Sequence, residues 1–178
     1  MPSANLWAPW RIDYMRGMAA EPGEPDPGGA GCFLCDAAAT PVDDPRFAEQ
    51  HGVARTDDAV VLMNRYPYAN GHLLIAPAEH VCSLGDLSAG TRAALMDLAA
   101  TAEAVLREAV HAQGCNVGMN IGRCAGAAVP GHLHLHVVPR WSGDVNFMTT
   151  IAEARVIPES LDAAYAAIRA AWPASTNA

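Results

Sequence analysis

The sequence predicts an α+β domain in which an antiparallel sheet carries one long helix. Three observations point to it. Short apolar or alternating runs of strand length recur at residues 59–63, 72–76, 116–121 and 132–138. One stretch, from Ser88 to about His111, keeps its apolar residues three or four apart, as a helix face requires. Gly and Pro gather between these segments. At about 150 residues per domain, a chain of 178 residues is one domain. It can bury roughly 70% of its unfolded surface, so it needs no disulfide framework. Hydrophobic residues at 51% and charged residues at 17% exclude a largely disordered chain. The 11 Lys and Arg against 19 Asp and Glu give a net charge of -8. That balance argues against a nucleic-acid partner held by its phosphates, while leaving room for a local pocket that takes one nucleotide.

Taken in order, residues 1–31 are expected to form an N-terminal arm, with Trp7, Trp10 and Tyr14, followed by a flexible loop. The loop, GMAAEPGEPDPGGAG, holds too much Pro and Gly for a regular element. The arm has no basic segment leading into an apolar run, and no stretch reaches the ~20 apolar residues of a membrane span. A cytoplasmic address and no membrane partner are therefore expected. Ala59–Met63 reads as a strand, and Asn70-Gly71 as a hairpin turn. A second strand, His72–Ala76, is stopped by Pro77. Ser88 is placed to cap the long helix, with Leu95, Leu98, Ala102, Val105 and Ala109 on one face and Gly114 ending it. Val117, Met119 and Ile121 alternate with Asn116, Gly118 and Asn120, as in a half-buried strand. A loop of small residues, Gly122 to Gly131, leads to the alternating run His132–Val138. Leu161, Tyr165, Ile168 and Trp172 mark a last amphipathic helix stopped by Pro173.

Three of the seven histidines fall within five residues, at His132, His134 and His136. Strand side chains alternate, so these imidazoles are expected on one face, lining a surface or cleft, with Leu133, Leu135 and Val137 turned to the core. Neighbouring imidazoles suppress one another's protonation and need specific partners, and clusters of this kind mark sites. Two uses fit: a metal held by three histidines, or a nucleophilic histidine supported by its neighbours. Side chains two apart on a strand project in parallel roughly 6 to 7 Å apart, which suits one or two metal ligands better than three. Cys32-x-x-Cys35 is a redox pair, half of a zinc site, or chance; a redox pair belongs between a strand and a helix, whereas this one follows the Pro/Gly loop. Cys82, Cys115 and Cys124 are scattered and read as ordinary thiols.

His132-Leu133-His134-Leu135-His136-Val137-Val138 resembles the His-x-His-x-His motif of the histidine triad (HIT) superfamily of nucleotide hydrolases and transferases. Asn64, Gly71-His72-Leu73-Leu74-Ile75-Ala76-Pro77 and Asn120 fall where that family has its nucleotide-binding strands. Trp7-Ala8-Pro9-Trp10-Arg11, Cys32-Phe33-Leu34-Cys35 and residues 139–148 resemble a bacterial branch often assigned as diadenosine tetraphosphate phosphorylases or hydrolases. The resemblance implies a HIT-like sheet with one long helix, with residues 32–142 as the HIT domain and 143–178 as a C-terminal extension. It implies that His134 attacks the α-phosphorus and carries a covalent nucleotide, and that His136 hydrogen-bonds the phosphate or bridging oxygen. Asn64 would bind the ribose, Asn120 the phosphate or ribose side, and Phe33 and Leu34 the base. Amides of the Gly122–Gly131 loop, at Gly126, Ala127 and Ala128, would cradle phosphate oxygens. His72 would orient the nucleophilic strand from behind.

The same resemblance supplies two further ligands, His80 and His132, for a structural zinc with Cys32 and Cys35; the triad would then be split, with His134 and His136 alone facing phosphate. No organic cofactor is implied. A homodimer sharing the long helix and an adjoining strand is implied, with Trp141 and Phe147 reaching toward the partner's site. One departure stands out. Several HIT hydrolases carry a polar side chain near the leaving group, where this sequence has Ala128 and Val129. Phosphoramidate hydrolysis, a biosynthetic nucleotidyl transfer and a non-catalytic nucleotide-binding module are the competing readings.

Overall fold

The computed structural model describes residues 31–127, 129–144 and 157–174. The expected N-terminal arm, Ala128 and Phe147 lie outside them. The elements in chain order are α1 (Phe33–Ala39), α2 (Pro45–Glu49), β1 (Gly52–Arg55), β2 (Ala59–Met63), β3 (Leu73–Pro77), α3 (Ala89–Ala109), β4 (Gly114–Met119), β5 (Leu135–Arg140) and α4 (Leu161–Ala171). The strands form one antiparallel sheet in the order β1-β2-β3-β5-β4. The α+β architecture expected from the sequence is the one found.

The apolar run of β2 is continuous because both of its faces are covered. Ala59, Val61 and Met63 join Leu73, Ile75, Leu135 and Val137 in the main core, packed beneath Leu95, Ala102, Leu106 and Ile168 of α3 and α4. Val60 and Leu62 face the other way, into a smaller cluster with Leu34, Ala37 and Phe47 of α1 and α2. The C-terminal helix α4 is therefore part of the main core. Gly71 shows how closely it packs: the backbone there is left-handed (φ +74), and a Cβ would sit 3.2 Å from both Leu106 Cδ2 and Ile168 Cδ1. Only glycine meets both demands without displacing a neighbour.

Several expectations are refined. Ser88 caps α3 as predicted, its Oγ accepting from Thr91 N at 2.9 Å. The helix does not run to Gly114, however. It stops after Ala109, and His111 takes the left-handed backbone (φ 54) while Gly114 opens β4. Histidine is one of the non-glycine residues that tolerate this region best. The β2–β3 hairpin exists, but residues 64–72 form its loop, with Asn70-Gly71 at the far end. β4 is an edge strand, so Val117 is 46% exposed and Ile121, just beyond it, 43%, instead of half-buried. Only Cys115 and Met119 lean on the core. No helix among the described residues is long and apolar enough to cross a membrane.

Candidate functional site

The histidine run enters the sheet later than its alternation suggests. β5 begins at Leu135, and its register with β3 sets His136 opposite Leu74. His132 and His134 precede the strand, and both are buried rather than lining an open cleft. Freed from strand geometry, the three rings go to two places.

The first place gathers His132, His80, Cys32 and Cys35, whose ligand atoms all lie within 4.8 Å of one another. α1 brings the thiols together: Cys32 is its N-cap residue and Cys35 lies one turn on. His132 Nδ1 is 3.3 Å from each sulfur and 3.2 Å from His80 Nδ1, and Cys35 Sγ is 3.1 Å from His80 Nδ1. His132 Nε2 meets the Pro77 carbonyl at 2.9 Å. A carbonyl only accepts, so Nε2 carries the proton and Nδ1 turns its lone pair to the cluster. Tetrahedral bonds of about 2.0–2.3 Å to nitrogen and sulfur imply ligand separations of roughly 3.3–3.8 Å, close to those found. The donor set fits a metal ion, and its outer partner is already in place.

The second place holds His134, His136 and His72. His134 Nδ1 lies 2.8 Å from the His132 carbonyl, which fixes its proton on Nδ1 and leaves Nε2 as a lone pair. The His134 and His136 rings stand edge to face, 4.9 Å between centroids. His136 Nδ1 is 3.0 Å from His72 Nε2. The direction of that bond follows from the loop behind it. Tyr68 N donates to His72 Nδ1 at 3.2 Å. Asn64 Oδ1 accepts from Tyr66 N at 3.0 Å, which turns Asn64 Nδ2 toward the same His72 nitrogen, also at 3.2 Å. Receiving two donors, His72 Nδ1 holds a lone pair, so His72 donates from Nε2 and His136 keeps its own proton on Nε2. That His136 Nε2 is buried and lacks a hydrogen-bond partner among the described residues.

Burial lowers the His72 pKa to about 3, with the charges of His136 and His134 adding to it. Burial also lowers His136, with His134 contributing. Both rings are neutral at physiological pH, as a donor chain of this kind requires.

The other expected residues divide. Leu34 is fully buried in the smaller core, whereas Phe33 beside it is 49% exposed and available to a ligand. Asn64 has its amide engaged at both ends within the 64–72 loop. Asn120 Nδ2 reaches the Gly126 carbonyl at 3.5 Å and so braces the small-residue loop. Gly122 and Gly126 both have positive φ there, and Ala127 follows. Tyr68 had no place in the sequence reading; its ring stacks on the His72–His136 pair. No local pattern gives it away, because the stack is completed by His136, which β5 brings to the 64–72 loop.

A sheet of this order, a Cys2His2 cluster and a paired lone pair and N–H are the features of a histidine triad protein. The family model described as HIT domain matches residues 46–143, and the chain belongs to the HIT family of nucleotide hydrolases and transferases. The AP-4-A phosphorylase of Mycobacterium tuberculosis is 38% identical over 160 residues, covering 88% of this chain and 78% of that protein. The asymmetrical bis(5'-nucleosyl)-tetraphosphatase of Schizosaccharomyces pombe is 31% identical over 90 residues, covering 51% of this chain and 49% of that one. Among solved structures, a Zn-bound histidine triad family protein from Mycobacterium smegmatis superposes with a TM-score of 0.64 at 28% identity, over 82% of this chain and 95% of its own.

Proposed function

We propose that this enzyme cleaves a nucleoside polyphosphate, with diadenosine tetraphosphate as the leading substrate, through a nucleotide bound covalently to His134. The observation that carries the reading is the contact of His134 Nδ1 with the His132 carbonyl at 2.8 Å, which makes Nδ1 the donor, so that the neutral ring offers Nε2 as its nucleophilic lone pair. In the first step His134 Nε2 bonds to the α-phosphorus and the bond to the bridging oxygen breaks, with the electron pair leaving on the departing nucleotide. His136, whose Nε2 has no hydrogen-bond partner among the described residues, hydrogen-bonds the phosphate or that oxygen. In the second step phosphate or water attacks the same phosphorus and the P–N bond breaks, restoring His134. The protein's contribution is mostly positioning and charge neutralisation, as is usual for phosphoryl transfer. We assign phosphate contacts to Asn120 and the amides of Gly126, Ala127 and Ala128, and a base contact to Phe33. Asn64, which the family resemblance gives to the ribose, is assigned here to holding His72.

We assign a structural zinc to Cys32, Cys35, His80 and His132, whose donor set and spacing suit it. When bound, zinc ties α1 to the approach of β5. No step of the reaction passes through it. Reduced cysteines as ligands suit a cytoplasmic address. The exposed edge strand β4, with Val117 and Ile121, is read as the face on which a second copy adds to form a homodimer; sedimentation of the full chain checks this, with a monomer counting against it.

Incubation with diadenosine tetraphosphate, with and without phosphate, tests the function. ADP plus ATP appearing only with phosphate marks phosphorolysis, the activity named for the mycobacterial relative. AMP plus ATP marks hydrolysis, as named for the yeast relative. If neither pair of products forms, the substrate assignment is overturned.

A further inference from the structure

Tyr68 touches the phosphate-side histidines and has no part in the reaction just described. Its ring lies 4.8 Å from His72 and 5.7 Å from His136, tilted 29° to each, so one phenol ring stacks on both imidazoles. The imidazoles themselves are 5.1 Å apart. The same residue's main-chain N–H is one of the two donors to His72 Nδ1. We infer that Tyr68 is a positioning residue that fixes the direction of the proton in the His72–His136 pair, so that His136 meets the substrate as an N–H donor. The inference deepens the proposed function and rests on its assignment of His136.

Two neutral imidazoles joined from Nε2 to Nδ1 can share their protons in either direction. In the reverse arrangement His136 Nδ1 donates to His72 Nε2. His136 then faces the phosphate with a lone pair, which repels the anion. His72 Nδ1 then bears a proton pointed at two donors, the Tyr68 N–H and Asn64 Nδ2. The main-chain donor stays in place because the phenol ring of Tyr68, a residue 46% exposed, is seated on the two imidazoles, of which His72 is fully buried. Burial lowers the pKa of both histidines. The titratable groups facing His136 are His134 beside it, His72 on the β3 side and the Tyr68 phenol from the 64–72 loop.

The test uses the full chain with nitrogen-15-labelled histidines, read by long-range proton–nitrogen correlation near neutral pH without substrate. His72 and His136 are expected as Nε2–H tautomers in the wild type and in Tyr68→Phe, which keeps the ring. Tyr68→Leu keeps apolar bulk without a flat ring. Its His136 signals are expected to average between the two tautomers, and the acid limb of kcat/KM to move to higher pH. For diadenosine tetraphosphate its kcat should fall about tenfold with KM within about twofold, the low end for partners that orient a functional group. Should Tyr68→Leu not fold, Tyr68→Met gives the same readout. Wild-type tautomers and acid limb in Tyr68→Leu, or a Tyr68→Phe variant that behaves like Tyr68→Leu, would overturn the inference. The spectra need no substrate. A chain that turns over no nucleotide would sink the proposed function while the tautomers still decided the role of Tyr68.

Discussion

Two regions of this molecule take histidines from one short run and use them in opposite ways. At the Cys32/Cys35/His80/His132 cluster, both nitrogens of His132 are engaged, Nδ1 by the ligand group and Nε2 by the Pro77 carbonyl. A few ångströms along the chain, His134 and His136 each have one nitrogen held by the protein and the other without a hydrogen-bond partner among the described residues. Counting ring nitrogens separates the architectural histidine from the reactive ones, although residue type and spacing are identical. The two regions are also joined, since the carbonyl that sets the tautomer of His134 belongs to His132, the residue whose ring enters the cluster.

The contrast is broken most severely at the nucleophile. His134→Asn is expected to lose at least about 10⁴-fold in kcat while folding normally; steady-state rates beside a thermal melt check this. On the metal side the outcome should invert. Cys35→Ser, or chelation of the wild type, is expected to cost about 3 kcal/mol, or roughly 10 °C in Tm. Elemental analysis is expected to find one zinc per chain before the change and none after it. A chelated protein that melts as before would mean the cluster does not hold the domain together.

His72 lies between the two modes, fully buried yet bonded to a reactive partner. Its folded pKa of about 3 is below the ordinary value of 6.5, so folding favours its neutral form. That contribution is complete above about pH 6.5, because there the unfolded chain binds no extra proton. It is lost as pH falls toward 3, at about 1.4 kcal/mol per pH unit at most. His72→Asn should flatten this acid loss in denaturant titrations at several pH values, and lower kcat about 10- to 100-fold. An unchanged pH dependence would contradict the buried neutral assignment.

The smallest effects on activity concern two adjacent residues. Leu34→Ala should destabilise by about 2–5 kcal/mol with kcat unchanged, since its side chain fills the smaller core. Phe33→Ala should leave stability within about 0.5 kcal/mol. It should raise KM for the nucleotide by about fivefold, roughly 1 kcal/mol of aromatic contact.

These residues also show what the sequence could carry. α3 and α4 were legible because their apolar spacing repeats over enough residues to reveal a period, with Ser88 and Pro173 marking ends, and β2 because its apolar run is unbroken. α1, α2 and β1, at seven, five and four residues, are too short to show one. The His-x-His-x-His run by itself announced a site; that its first member would turn away came only with the family resemblance, because that turn depends on where Cys32, Cys35 and His80 arrive in space. His51 and His111 had no role in the sequence; both adopt left-handed backbone, with φ 59 and 54, and serve chain reversals. Tyr68 stayed hidden because stacking between a loop and a strand distant in sequence leaves no local signature.

The central claim is that His134 bears the nucleotide. Rapid acid-free quenching during turnover of diadenosine tetraphosphate, followed by peptide mass spectrometry, tests it most directly. An adenylyl group on the peptide containing His134, absent from His134→Asn, is the predicted result. Product formation with the adduct on another residue, or with none at any quench time, would contradict it.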